Sequence, residues 1–89
     1  METQIPRQTS DFELQEFEDE LLLYHPAKTA TFYLNPQAAL IWRMCDGSRS
    51  IADLIALLEE AYPDQQDRIR GDVFQTIRQF VRQGALSLG

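Results

Sequence analysis

His25 and Cys45 are the only histidine and the only cysteine in a chain of 89 residues, so imidazole or thiolate chemistry would have to run through them. A nucleophile and its base must stand within hydrogen-bond reach. The sequence instead sets these two in different elements, His25 ahead of Pro26 in a turn and Cys45 on the apolar side of a helix. His25 is read as a surface residue and Cys45 as a small buried hydrophobe. One sulfur builds neither a disulfide nor a thiolate metal cluster. The acids of Glu16, Glu18, Asp19 and Glu20 form a solvated charge run, and there is no glycine-rich phosphate loop or metal-ligand spacing. The chain is read as non-catalytic, with no cofactor and no metal.

Residues suited to binding form a different set. Phe74 stands four residues from both Arg70 and Arg78, which on a helix surface puts a ring between two guanidinium groups. Such a trio is either a docking patch or a half-buried ring with charged neighbours, and the spacing fits both. Trp42 shares a stripe with Ala38, Ile41 and Cys45 and is assigned to the core. Phe32 and Tyr33 are consecutive on one strand and point to opposite faces, one inward and one toward solvent or a ligand.

Short strands followed by three helices position these residues. Residues 1–10 lack periodicity and are read as a flexible tail, with the domain taken as 11–89. Phe12 and Leu14 alternate with Glu13 and Gln15 in a short, half-exposed strand. Glu20–His25 is a compact apolar strand, and Pro26 suits the second position of a tight turn. Thr29–Leu34, rich in β-branched and aromatic residues, is the returning strand of a hairpin.

Asn35-Pro36 is an N-cap with a favoured first helical residue, opening a helix over 36–46 that Gly47 closes in the left-handed conformation. Ser50 and Asp53 have capping-box spacing for a helix over 50–62, which Pro63 stops. A third helix over 66–83 turns Ile69, Val73, Ile77, Phe80 and Val81 inward. Gly84 ends it ahead of a short extended segment at Ala85–Leu88. About four residues around Gly47 join the first two helices, forcing a sharp crossing of the helix-turn-helix kind. The expected fold class is α+β, a winged helix-turn-helix with a three-stranded antiparallel sheet followed by three helices.

A chain of this length supports one domain with a modest core. Fourteen acids against eight Lys and Arg give a net charge of −6, which opposes the phosphate contacts of nucleic-acid binding. Met1–Ser10 is too polar for a signal peptide, and Leu21–Tyr24 is far too short an apolar run to span a membrane. No membrane contact is expected, and the expected compartment is the cytoplasm.

Several motifs coincide with a known family. They are Leu22–Tyr24, Leu34-Asn35 ahead of Ala38-Ala39 and Ile41-Trp42, and Cys45-Asp46-Gly47 with Ser50-Ile51 and Leu54-Ile55. Tyr62-Pro63, Asp72-Val73 and Gly84-Ala85-Leu86 complete the set. Over residues 12–88 the chain resembles the PqqD family of peptide chaperones, also called RiPP precursor-peptide recognition elements. The resemblance implies a non-catalytic winged helix-turn-helix domain that binds the leader of a ribosomally made precursor peptide. Such a domain presents the peptide to a modifying enzyme, often a radical SAM protein.

The leader adds as a strand beside the third strand, and the third helix forms the other wall. Carried onto this chain, the edge is Thr29, Ala30, Thr31, Phe32, Tyr33 and Leu34. The wall is Arg70, Phe74, Ile77, Arg78 and Val81. An open strand edge is a template for another chain's backbone on general grounds. Two other readings share the architecture: a DNA-binding winged helix, and a homodimerising scaffold whose edge pairs with its own copy.

Overall fold

Alternation along Glu20–His25 organises the sheet, because Leu21, Leu23 and His25 turn toward the helices while Glu20, Leu22 and Tyr24 face away. The structure is a computed structural model and describes residues 2–28 and 30–89. Its elements run β1 (Pro6–Gln8), β2 (Glu13–Phe17), β3 (Glu20–His25), β4 (Ala30–Leu34) and α1 (Pro36–Met44). Then come α2 (Ile51–Ala61), a 3-10 turn over Pro63–Gln65, α3 (Gln66–Gln83) and β5 (Leu86–Leu88). Strands β2, β3 and β4 form an antiparallel sheet in that order, and β1 pairs with β5 in a separate two-stranded sheet. The fold is α+β, with the expected three-stranded sheet and three helices.

The register places Leu14, Leu23 and Phe32 in one inward row across the sheet. That row meets Ile41, Trp42 and Cys45 from α1, the stripe Ile51, Leu54, Ile55 and Leu58 from α2, and Ile69, Val73, Ile77 and Phe80 from α3. Each stripe repeats at three and four residues, so one face of each helix is buried. Trp42 lies in this core as expected, and its indole N–H donates to the Ala85 carbonyl at 3.4 Å. Among the described residues, no helix is long and apolar enough to cross a membrane.

His25 corrects the expectation of a surface residue. It is only 7% exposed, on the inward side of β3. Its ring meets Phe12 edge-on at 4.8 Å, and Nδ1 accepts from the Lys28 N–H at 3.1 Å. The ring is apolar enough to fill the end of the core, and the turn satisfies its nitrogen.

Helix starts follow the expected signals. The Asn35 side chain accepts from the Ala38 N–H at 2.7 Å, and Ser50 and Asp53 form a reciprocal capping box. The end of α1 does not. It stops at Met44 with Cys45 as its cap, so six residues, 45–50, join α1 to α2.

The cause is the N-terminal segment, which was expected to be a tail. The Gln8 N–H donates to the Cys45 carbonyl at 2.9 Å, and the Gln8 side chain donates to the Trp42 carbonyl at 2.8 Å. These bonds take up carbonyls at the end of α1 that would otherwise call for further helix or for water. Gly47 has the expected positive φ of +86°, but it lies beyond the cap and its N–H donates to the Pro6 carbonyl. A side chain there would meet Arg7, whose Nε lies 2.7 Å from where a Cβ would stand.

Candidate functional site

Strand β4 is an edge of the three-stranded sheet, with β3 on one side and no strand among the described residues on the other. Alternation turns Phe32 and Leu34 inward against the core and leaves Tyr33 72% exposed on the outer face. Thr31 is exposed as well. Of the remaining edge residues, Thr29 lies outside the described residues, and Ala30 is described only as backbone, paired with His25.

A groove of about 150 Å³ opens beside β4. Phe32, Tyr33 and Leu34 line one side, and Thr76, Gln79, Phe80 and Gln83 of α3 line the other. A second hollow of about 270 Å³ continues it past Thr76 and Gln79 to the start of α1 at Asn35 and Gln37. Thr76, Gln79 and Gln83 recur at three and four residues, so they form one polar flank beside the buried stripe.

The wall residues expected from the sequence lie elsewhere. Ile77 is fully buried in the core and offers no surface. Arg70, Phe74, Arg78 and Val81 do not line the groove at β4. Phe74 and Arg78 instead line a larger hollow of about 700 Å³ on the outer side of α3, together with Gly71, Gln75, Gln79 and Arg82. Gln79 belongs to both hollows, so they meet across the helix. Val81 is 37% exposed.

Phe74 matches the reading of a half-buried ring with charged neighbours. It is half-buried against the core, and the Arg70 guanidinium sits 5.8 Å above its ring centroid, within cation–π range. Arg70 also pairs with the Glu2 carboxylate, so the N-terminal segment reaches this flank. Periodicity reveals the two flanks of a buried stripe without telling which one meets the sheet. For that reason nothing in the sequence distinguishes Thr76, Gln79 and Gln83 from the opposite flank.

Cys45 is buried, and its thiol donates to the Ile41 carbonyl at 3.0 Å. Burial, reinforced by the neighbouring Asp46 carboxylate, pushes the thiol up to about 12. A thiol so placed stays protonated at neutral pH and is no nucleophile.

The geometry is thus an open strand edge opposite a polar helix flank. Residues 20–86, three-quarters of the chain, match the family model of coenzyme PQQ synthesis protein D, and the chain belongs to this PqqD family. No curated protein and no solved structure matches it significantly.

Proposed function

We propose that this protein is a peptide chaperone that binds the leader of a ribosomally synthesised precursor peptide along β4 and presents it to a modifying enzyme of the radical SAM class. The observation that carries the reading is the open β4 edge beside the α3 groove, in a member of the PqqD family. A strand added there gains main-chain hydrogen bonds, and its alternate side chains enter the groove for specificity. Thr76, Gln79 and Gln83 supply donors and acceptors, with Phe80 as an apolar floor. Arg78 and Arg82 on the adjoining hollow favour an acidic leader. In this reading the β3–β4 hairpin is the wing of a winged helix-turn-helix, and the protein acts without a catalytic group of its own.

The test begins with the gene neighbourhood, which should hold a short precursor peptide and a radical SAM enzyme. Titrating the ¹⁵N-labelled chain with that peptide's leader should give micromolar affinity or better, about −8 kcal/mol. Amides of 30–34 and 76–83 should shift. Thr76→Arg, which overfills the groove, should weaken binding by about 1–3 kcal/mol. Phe74→Ala and Arg78→Glu report whether the leader crosses to the outer hollow, and Glu60→Lys on α2 should change nothing. Tight, steeply salt-dependent binding of duplex DNA with no response to leader would overturn the reading.

A further inference from the structure

The outer face of the three-stranded sheet points away from the helices, and nothing covers it among the described residues. Its cross-strand rows are Gln15, Leu22 and Tyr33, then Glu13, Tyr24 and Thr31, with Phe17 opposite Glu20 at the turn. Tyr33 and Phe17 are 72% and 68% exposed, and Leu22 and Tyr24 are half-buried between their neighbours. Opposed side chains on such rows stand about 5 Å apart, so the aromatic and aliphatic groups form one patch. Exposed aromatic clusters of this kind, rimmed by charge, are the usual make-up of a protein interface.

The rim has one sign. Residues 11–34 hold six acids against Lys28 alone, whereas the other 65 residues hold eight acids and seven arginines. Nearly all of the net charge of −6 therefore sits on the sheet. Glu13 and Glu20 lie on the outer face itself, and Glu18 and Asp19 form the turn beside Phe17. Strands β2, β3 and β4 contain no Lys or Arg. Such a face repels a second copy of itself, a nucleic acid and an anionic lipid surface, and it complements a cationic protein surface.

We propose that the outer sheet face, centred on Leu22, Tyr24 and Phe17 and rimmed by Glu13 and Glu20, is a docking surface for an arginine- or lysine-bearing segment of a partner protein. Tyr33 also lines the α3 groove and forms the border between the two surfaces, while Glu13, Phe17, Glu20, Leu22 and Tyr24 belong to the sheet face alone. The surface is argued from the sheet alone and stands without the function proposed above.

The test uses the full chain and two helical amphipathic peptides, one with leucines flanked by arginines and one with glutamates in place of the arginines. The arginine peptide should shift the side-chain signals of Leu22, Tyr24 and Phe17 and bind about tenfold tighter than the glutamate peptide, with the advantage shrinking in salt. Glu13→Lys with Glu20→Lys should weaken it by about fivefold or more, and Glu13→Gln with Glu20→Gln by less, with both variants keeping the parent's amide spectrum. Leader titration of the charge-reversed variant reads the α3 groove separately and should match the parent. Equal binding of both peptides, unchanged affinity in the reversed variant, or shifts confined to the α3 groove would overturn the docking surface. Loss of leader response in the parent would sink the peptide-chaperone reading alone.

Discussion

Glu18 stands at φ +56°, in the left-handed region that a side chain enters at a cost, within the two-residue turn between β2 and β3. Asparagine and glycine are the residues such turns favour. Glu18→Gly should therefore stabilise the fold by about 0.5–1 kcal/mol in urea denaturation, and a neutral or negative effect would mean that the turn relaxes around glutamate at no cost. Cys45 supports a second prediction. Its raised value means that the folded thiol keeps its proton where the unfolded one, near 9.0, loses it. This contribution is fully present below pH 9.0 and fades as pH rises toward about 12, by at most about 1.4 kcal/mol per unit. Iodoacetamide at pH 8 should label Cys45 only after denaturation, and rapid labelling of the folded chain would contradict its burial. The burial of Cys45 was legible from its helical stripe. That of His25 was not, because a histidine before a proline reads as a polar turn residue, and only the alternation with Leu21 and Leu23 pointed inward.

Elements were legible wherever their signals were local. Asn35-Pro36, the Ser50 and Asp53 box, and Gly84 each act within a few residues, and α1, α2 and α3 begin or end at them. Strand β1 has three residues and all of its partners lie far along the chain, so no window of sequence could reveal it. The β4 edge was legible as a strand, and the flank of α3 that faces it was not. That edge carries the third prediction. Alternate residues of β4 send their N–H groups away from β3, and proline removes the donor. Of Thr31→Pro and Phe32→Pro, neighbours of opposite parity, one should weaken leader binding by about 1–3 kcal/mol with the hairpin intact, and the other should destabilise the hairpin. Two variants that both bind leader like the parent would move the added strand to another edge.

At the scale of the molecule, the N-terminal segment ties together elements that are distant in sequence. The Ile51 and Ala52 N–H groups, in the first turn of α2, donate to the carbonyls of Gln4 and Glu2 at 3.0 and 2.9 Å. The Ser50 hydroxyl takes the Asp53 N–H, so the first turn of α2 is satisfied from two directions. At the other end of the segment the Thr9 N–H donates to the Ala85 carbonyl, which also receives Trp42. Removing residues 2–9 should cost about 2–4 kcal/mol, the sum of several hydrogen bonds of modest net worth and the burial of Pro6. Urea denaturation measures it, and an unchanged midpoint would mean that these bonds only replace equivalent ones to water. The groove at β4 should keep its leader affinity, since the segment lines neither it nor the hollow beside α1.

The exchange of hydrogen bonds between Ile5 and Gly89, at 2.9 and 3.0 Å, makes the segment before β1 and the segment after β5 hold each other in place. Pro6 and Arg7 pair with Leu88 and Ser87, and Glu2 and Gln4 run on from them to the start of α2. Loosening Ser87 and Leu88 would therefore be felt at the first turn of α2, far earlier in the sequence, because the strand that receives them is the one that delivers Gln4 and Glu2 to Ile51 and Ala52.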